Sequence, residues 1–336
     1  MGGGPDVDPA FRWMITRAGI RPGTGGRFLI IRATGTDAYN LYVFFSDPAS
    51  GKSEIIADEW VGGASMGLSS VETLVIPNAE AANDPAVQKI VARANAVFIA
   101  GGDQSDYIRF WKGTRLEQTL DESMHRNVPI GGTSAGLAVM GQFDYSALFD
   151  SVTSAEAMAD PYDINITLDP NPLSLEGGFI APPELGGLIL DSHFDTRDRM
   201  GRMIAFVSRT IARDKNGFGC AGGILRVGGT GRAAPGAIGI SVETALLVAG
   251  DKTGGGVTGR RITNAFNASS ESAVYFVRPL VAPAVCASGQ LLTIRSVDIR
   301  KLADSHAVFN LSKWTGLPVH RYLDVDHGSL SPQSWR

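Results

Sequence analysis

Cysteine is nearly absent from this chain of 336 residues, which has only Cys220 and Cys286. Two cysteines cannot form a disulfide framework, and their spacing fits no metal-ligand pattern, so a stapled mini-domain and a Cys-rich metal centre are both excluded. The plain reading is a pair of buried thiols, able to join if the protein is exported. Long apolar runs are missing as well. None reaches the roughly 18 residues that a membrane-spanning helix needs. Charge of one sign is scarce: 30 Lys and Arg against 34 Asp and Glu leave a formal net charge of −4, which gives no electrostatic case for nucleic acid. The opening "MGGGPDVDP" has neither a basic segment nor an apolar one, so no signal peptide is visible. No internal repeat occurs.

What is present suits an ordinary globular protein. Hydrophobic residues make up 44% and charged residues 19%, and the length allows one large α/β domain or two smaller ones. Short apolar runs alternate with helical patterns. Strands are expected at 27–33, 72–77, 96–102, 128–132, 187–192, 237–242, 245–250 and 273–277, and several are apolar throughout, as in parallel strands covered on both faces. Helices are expected at 8–18, 84–95, 104–126 and 197–212. The second places Val87, Ile90, Val91 and Ala94 on one face. This alternation predicts a three-layer α/β domain with a mostly parallel sheet over residues 1–255. After that, "AVYFV", "LLTIRSV" and "VHRYLDV" predict a β-rich C-terminal extension over 256–336. The proline-studded stretch 160–187 reads as a long irregular excursion, a kind of loop that is often functional.

Glycine is abundant, at 41 residues, which weakens any glycine-based motif. The serine-nucleophile pattern G-x-S-x-G occurs twice, around Ser65 and around Ser134. A nucleophile elbow needs a strand, a tight turn and then a helix. Ser134 fits, with "VPIGG" before it and "AGLAVMG" after it. Ser65 leads toward a strand instead and reads as part of a glycine-rich loop. A serine hydroxyl also needs a base, usually histidine. Of the five histidines, His125 ends a charged helix, and His306, His320 and His327 lie in the β-rich tail. His193 follows the apolar strand "GLILDS", which puts it at a strand's C-terminal end, where an α/β sheet builds its sites. After it comes "HFDTRDRMGRM". Its arginines can form i,i+4 ion pairs, Asp195 with Arg199 and Asp198 with Arg202, or can bind substrate carboxylates.

Together, "FIAGGDQ" (98–104), "GGTSAG" (131–136), "DSHFDTRDRMGR" (191–202) and "GISVETALLV" (239–248) resemble cyanophycinase and its relatives, serine peptidases that also include the aspartyl dipeptidases. The "MGGGPDVDPAFRWMI" opening resembles the glycine loop that follows the family's first strand. The resemblance covers about residues 1–250. It implies a fold akin to class I glutamine amidotransferases, a flavodoxin-like sheet. It implies Ser134 as nucleophile, His193 as base, and the amides of Gly102 and Ala135 as oxyanion hole. Gln104, Asp191, Arg197, Arg199 and Arg202 match positions that line the family's substrate site. No metal or organic cofactor is implied.

The chain departs from the family's pattern at two places. Ser192 stands where the family has glutamine. Val242 stands where the triad glutamate is expected, with the nearest carboxylate one residue on, at Glu243. A one-residue slip reverses the facing of a strand residue unless a bulge or turn re-aims it. The resemblance makes Glu243 the expected acid, with Asp191 as the substitute orienter. The expected activity is exopeptidase hydrolysis of aspartate-rich peptides through an acyl-enzyme, most concretely of cyanophycin to β-aspartyl-arginine. The alternatives are small isoaspartyl or aspartyl peptides as substrates, a non-catalytic peptide-binding relative, and, last, an α/β-hydrolase esterase. A peptide is the expected partner and a homodimer is allowed; nucleic acid and membrane are not expected. The start on a glycine loop, with no strand before it, reads as a truncated or misplaced start. The location is then cytoplasmic by default and secreted if an export signal has been lost.

Overall fold

The computed structural model describes residues 1–45, 60–171, 178–250, 256–265, 269 and 271–336. In chain order, the strands of the N-terminal half are β1 (Arg27–Arg32), β2 (Ser70–Val75), β3 (Ala96–Ile99), β4 (Ile130–Gly132), β5 (Asp144–Tyr145) and β6 (Leu168–Asp169). Those that follow are β7 (Leu188–Asp191), β8 (Gly236–Ile240), β9 (Ala245–Gly250), β10 (Val257–Ile262), β11 (Val274–Pro279), β12 (Ile294–Leu302), β13 (Phe309–Asn310), β14 (Arg321–Asp326) and β15 (Ser329–Ser331). The helices are α1 (Asp8–Arg17), α2 (Ala38–Phe44), α3 (Gly63–Met66), α4 (Ala79–Asn83), α5 (Pro85–Val91), α6 (Gln104–Trp111), α7 (Arg115–His125), α8 (Ala135–Ala138), α9 (Ser154–Ala159) and α10 (Met200–Arg209).

The first sheet is parallel, in the order β2-β1-β3-β4. Its central strands are apolar through Phe28–Ile31 of β1 and all of β3 because helices cover both faces. Phe28, Ile30 and Phe98 point to one side, where α1 supplies Phe11, Met14 and Ile15. Leu29, Ile31, Val97 and Ile99 point to the other, against Tyr107, Trp111, Leu116 and Leu120 of α6 and α7. The helix expected over 104–126 is broken at 112–114, where Gly113 takes a left-handed turn (φ 73°) and Thr114 precedes α7.

The expected single, mostly parallel sheet is divided. Strands β7 and β8 pair in parallel with each other but belong to a second, mixed sheet of order β15-β14-β12-β11-β8-β7. Strand β11 joins β8 antiparallel, so the C-terminal strands continue the same sheet. One face packs on α10 through Met203, Ile204, Phe206 and Val207; the other buries Phe276, Phe309 and Trp314. The smaller sheets are β13-β10-β9 and β5-β6. The strand β6 lies inside the stretch expected to be irregular, and residues 172–177 of that stretch, like the expected domain boundary at 255, fall outside the described residues.

Cys220 and Cys286 are not free thiols: a disulfide joins them, with Cα atoms 4.8 Å apart and a sequence separation of 66. No helix among the described residues is long and apolar enough to cross a membrane.

Candidate active site

Four strands end together at the site. The loop 101–102 follows β3, Ser134 follows β4, His193 follows β7 and Glu243 follows β8. Carboxyl ends of parallel strands are where α/β sheets gather functional groups.

Ser134 occupies the residue before α8, with φ 53° and ψ −115°, a backbone strain of the kind a nucleophile elbow stores. Its close neighbours explain the flanking glycines. A β-carbon at Gly136 would run into the carbonyl oxygens of Ile99 and Ala100 at the end of β3, so the helix can start this close to the sheet only with glycine there. Ser134 Oγ lies 2.9 Å from His193 Nε2, a hydrogen bond between the two sheets. The half-buried imidazole is pushed down from 6.5 to about 4, first by desolvation and then by the Arg197 and Arg199 guanidiniums, with Asp191 and Asp195 opposing. It is therefore neutral at pH 7 and able to take a proton. Ser65 contrasts with it. Its hydroxyl donates to Gly62 O at 2.8 Å on the single turn α3.

Ala135 is the first residue of α8, where helix geometry leaves an amide without an intrahelical partner. Gly102 is exposed at the neighbouring loop, and a β-carbon on Gly101 would lie 3.4 Å from Ser134 Cβ, so this loop borders the serine. Ala135 follows Ser134 directly, and Gly102 is the next residue after Gly101 on the bordering loop.

The triad-acid position differs from the sequence expectation in a useful way. The strand read as 237–242 ends at Ile240, and residues 241–244 form a turn before β9. Glu243 has φ 53°, so strand alternation does not govern its direction. Its backbone amide donates to Gly3 O at 2.9 Å.

Asp191 is engaged elsewhere. Arg202 grips it with two bonds, Nε to Oδ2 and Nη2 to Oδ1, both 2.7 Å, and Arg199 Nη1 donates to Oδ1 at 2.8 Å. Burial alone would push this carboxyl up, but the two guanidiniums hold it below the usual carboxylate range. The i,i+4 pairs read from the sequence do not form among the described residues, because the chain bends at Asp198 (φ 47°) and α10 starts only at Met200. Asp195 instead accepts from Val242 N and Ser269 Oγ, and Asp198 accepts from the Trp335 indole.

The arginines therefore differ. Arg202 is 3% exposed, and its third nitrogen donates to Val152 O. Arg199 is half committed, to Asp191 and Ser192 O. Arg197 is exposed at the rim. All three border a cavity of about 470 Å³ that also touches Gly102 and Gln104. Arg109, Phe149 and Asp150 line it too, residues that sequence reading missed, since nothing in their local pattern marks them. No cluster of His, Cys, Asp and Glu suited to a metal ion occurs among the described residues.

Residues 54–160 match peptidase family S51, a span that holds Ser134 and Gly102 and stops short of His193. Over that span the chain is similar to the S51 peptidases. It is 29% identical over 178 residues to the cyanophycinase of Geminocystis herdmanii, covering 52% of this chain and 58% of that one. It is 27% identical over 173 residues to the cyanophycinase of Trichormus variabilis, covering 51% and 52%. The chain spans about half the length of these curated relatives. Among solved structures, a peptidase from an acI-B1 actinobacterium superposes with a TM-score of 0.47 at 15% identity, over 85% of this chain and 92% of that one.

Proposed function

We propose that this chain is a serine peptidase acting on aspartate-bearing peptides through an acyl-enzyme, on a sheet arrangement akin to class I glutamine amidotransferases. The observation that carries the reading is the 2.9 Å contact between Ser134 Oγ and a neutral His193 Nε2, at an elbow between strand and helix. As Ser134 Oγ bonds to the amide carbon, its proton passes to His193 Nε2. The carbonyl oxygen gains charge between the amides of Gly102 and Ala135. His193 then returns the proton to the departing amine as the C–N bond breaks, and water cleaves the ester by the same route. Glu243 is the acid of choice behind His193, since Asp191 is taken by two arginines.

The cavity supports the substrate class. Arg197 and Arg109 face it with Asp103, Asp106 and Asp150, so both signs of charge line one space. A peptide of aspartates bearing arginine side chains, as in cyanophycin, presents a carboxylate and a guanidinium to such a lining. Purified protein should be incubated with cyanophycin and a panel of α- and β-aspartyl dipeptides, and the products identified. β-Aspartyl-arginine release that vanishes in Ser134→Ala supports the reading. Cleavage of dipeptides alone moves the substrate to small isoaspartyl peptides. A folded protein that cleaves none, and resists a serine-directed fluorophosphonate, is a peptide-binding relative instead. The disulfide supports an oxidising compartment for this protein, where such bonds persist.

A further inference from the structure

Three consecutive carbonyls at the start of the chain each accept a hydrogen bond from one residue of the site. Met1 O takes the amide of Ser134 at 3.2 Å, Gly2 O that of His193 at 2.7 Å, and Gly3 O that of Glu243 at 2.9 Å. The three donors share a second property. Their φ angles are 53°, 45° and 53°, in the left-handed region that residues with side chains rarely adopt. Each such conformation costs on the order of 1–3 kcal/mol and persists only where its surroundings over-determine it. The donors leave three different strands, β4, β7 and β8, drawn from two sheets.

The segment making these bonds is itself held. The Met1 nitrogen donates to Gly132 O at 2.6 Å, and Gly2 N donates to Thr244 O at 2.9 Å, so residues 1–2 are bonded to the end of β4 and to the turn after β8. Further on, Asp8 N donates to Asn264 Oδ1 and Asn264 Nδ2 to Asp6 O, both at 2.9 Å, and α1 buries Phe11 and Ile15. Gly3 lies directly against the imidazole. Its own φ is +90°, and a β-carbon there would collide with His193 Nε2 and Cε1, the edge of the ring that meets Ser134.

We propose that residues 1–3 form a positioning strap: their carbonyls fix the backbones of Ser134, His193 and Glu243 in one relation, and Gly3 leaves the space in which the imidazole reaches the serine. The strap exchanges no proton and forms no bond in this scheme: Gly3 borders His193 Nε2, and the segment acts through the three residues it holds. Its catalytic consequence rests on the serine-peptidase reading above, whereas its hydrogen bonds do not.

The test compares Gly3→Ala with Gly19→Ala in the full chain. Gly19 also has a left-handed backbone (φ +77°), but a β-carbon there meets nothing within 4 Å, so it carries the same backbone strain away from the site. Gly3→Ala should lower kcat by about 100-fold or more with KM changed by less than about threefold, while Gly19→Ala leaves both near wild type. The His193 ring, followed by NMR titration, should move from about 4 back toward 6.5 in Gly3→Ala, a change that general loosening elsewhere does not produce. A folded Gly3→Ala protein with wild-type kcat and wild-type His193 titration overturns the strap. If that variant does not fold, amide exchange in the unaltered protein decides: protection of Ser134, His193 and Glu243 amides with one common opening free energy supports the strap, and fast, unrelated exchange sinks it. Should the wild type hydrolyse no peptide, the peptidase reading fails by itself, and titration and exchange still judge the strap.

Discussion

At the residue scale, the serine and histidine carry the strongest expectations. Ser134→Ala should cut kcat/KM by about 10⁴-fold or more while leaving the fold intact, measured as peptide hydrolysis beside a thermal melt. His193 makes a pH statement. Because its folded value lies near 4 against 6.5 unfolded, kcat/KM should hold on the acid side down to about pH 4. The same shift acts on stability with a definite sign. Between pH 6.5 and about 4 the unfolded chain binds the proton and the folded chain does not, so this group's contribution is present above 6.5 and lost as pH falls through that window. Urea melts of wild type and His193→Gln across pH 4–7 check it: the wild type should lose more stability on acidification than the variant.

The serine and histidine were legible because their neighbourhoods leave local traces: an apolar strand, a turn and, after the serine, a helix start. The arginines were less so. Spacing placed Arg199 and Arg202 one turn from Asp195 and Asp198, but the partner they share, Asp191, lies across a bend that no periodicity encodes. The backbone at Glu243 was not legible, since its turn begins where an apolar run suggested strand. The strap was the least legible. Its glycines were plain in the sequence, yet three hydrogen bonds to residues more than a hundred positions away are not a local pattern.

At the scale of elements, the segment from β7 to α10 separates two kinds of arginine. Arg202→Ala leaves the Asp191 carboxylate buried with part of its partnership gone, which should cost about 3–5 kcal/mol in denaturant melts. Arg197→Ala, at the exposed rim, should leave stability within about 0.5 kcal/mol and raise KM for acidic peptides. Equal stability losses in the two variants would contradict this division. Helical patterning found α1 and α5 through one apolar stripe each, and α10 through an apolar run that is buried almost all round. It ran α6 and α7 together because the apolar face continues on both sides of Gly113, and only the backbone turn there divides them.

For the whole molecule, the alternation of strands and helices and the β-rich tail were readable, but the division into two sheets was not, because a run such as "AIGISV" carries no label for its partner strand. The disulfide lies within the second sheet's part of the chain, joining the segment between α10 and β8 to the one between β11 and β12. For a loop of 66 residues its removal should cost about 4 kcal/mol on the chain-entropy account, read as the difference between Cys220→Ser/Cys286→Ser and wild type in non-reducing melts. The bond also bears on how the protein survives damage. A protease that cuts once between β8 and β11 separates the chain into two fragments, one holding Ser134 and His193 and the other β11, β12, β14 and β15. Cys220–Cys286 keeps those fragments one covalent object, and β8 and β11 remain free to stay paired across the cut. Nicked protein should therefore run as a single species without reductant, and as two with it.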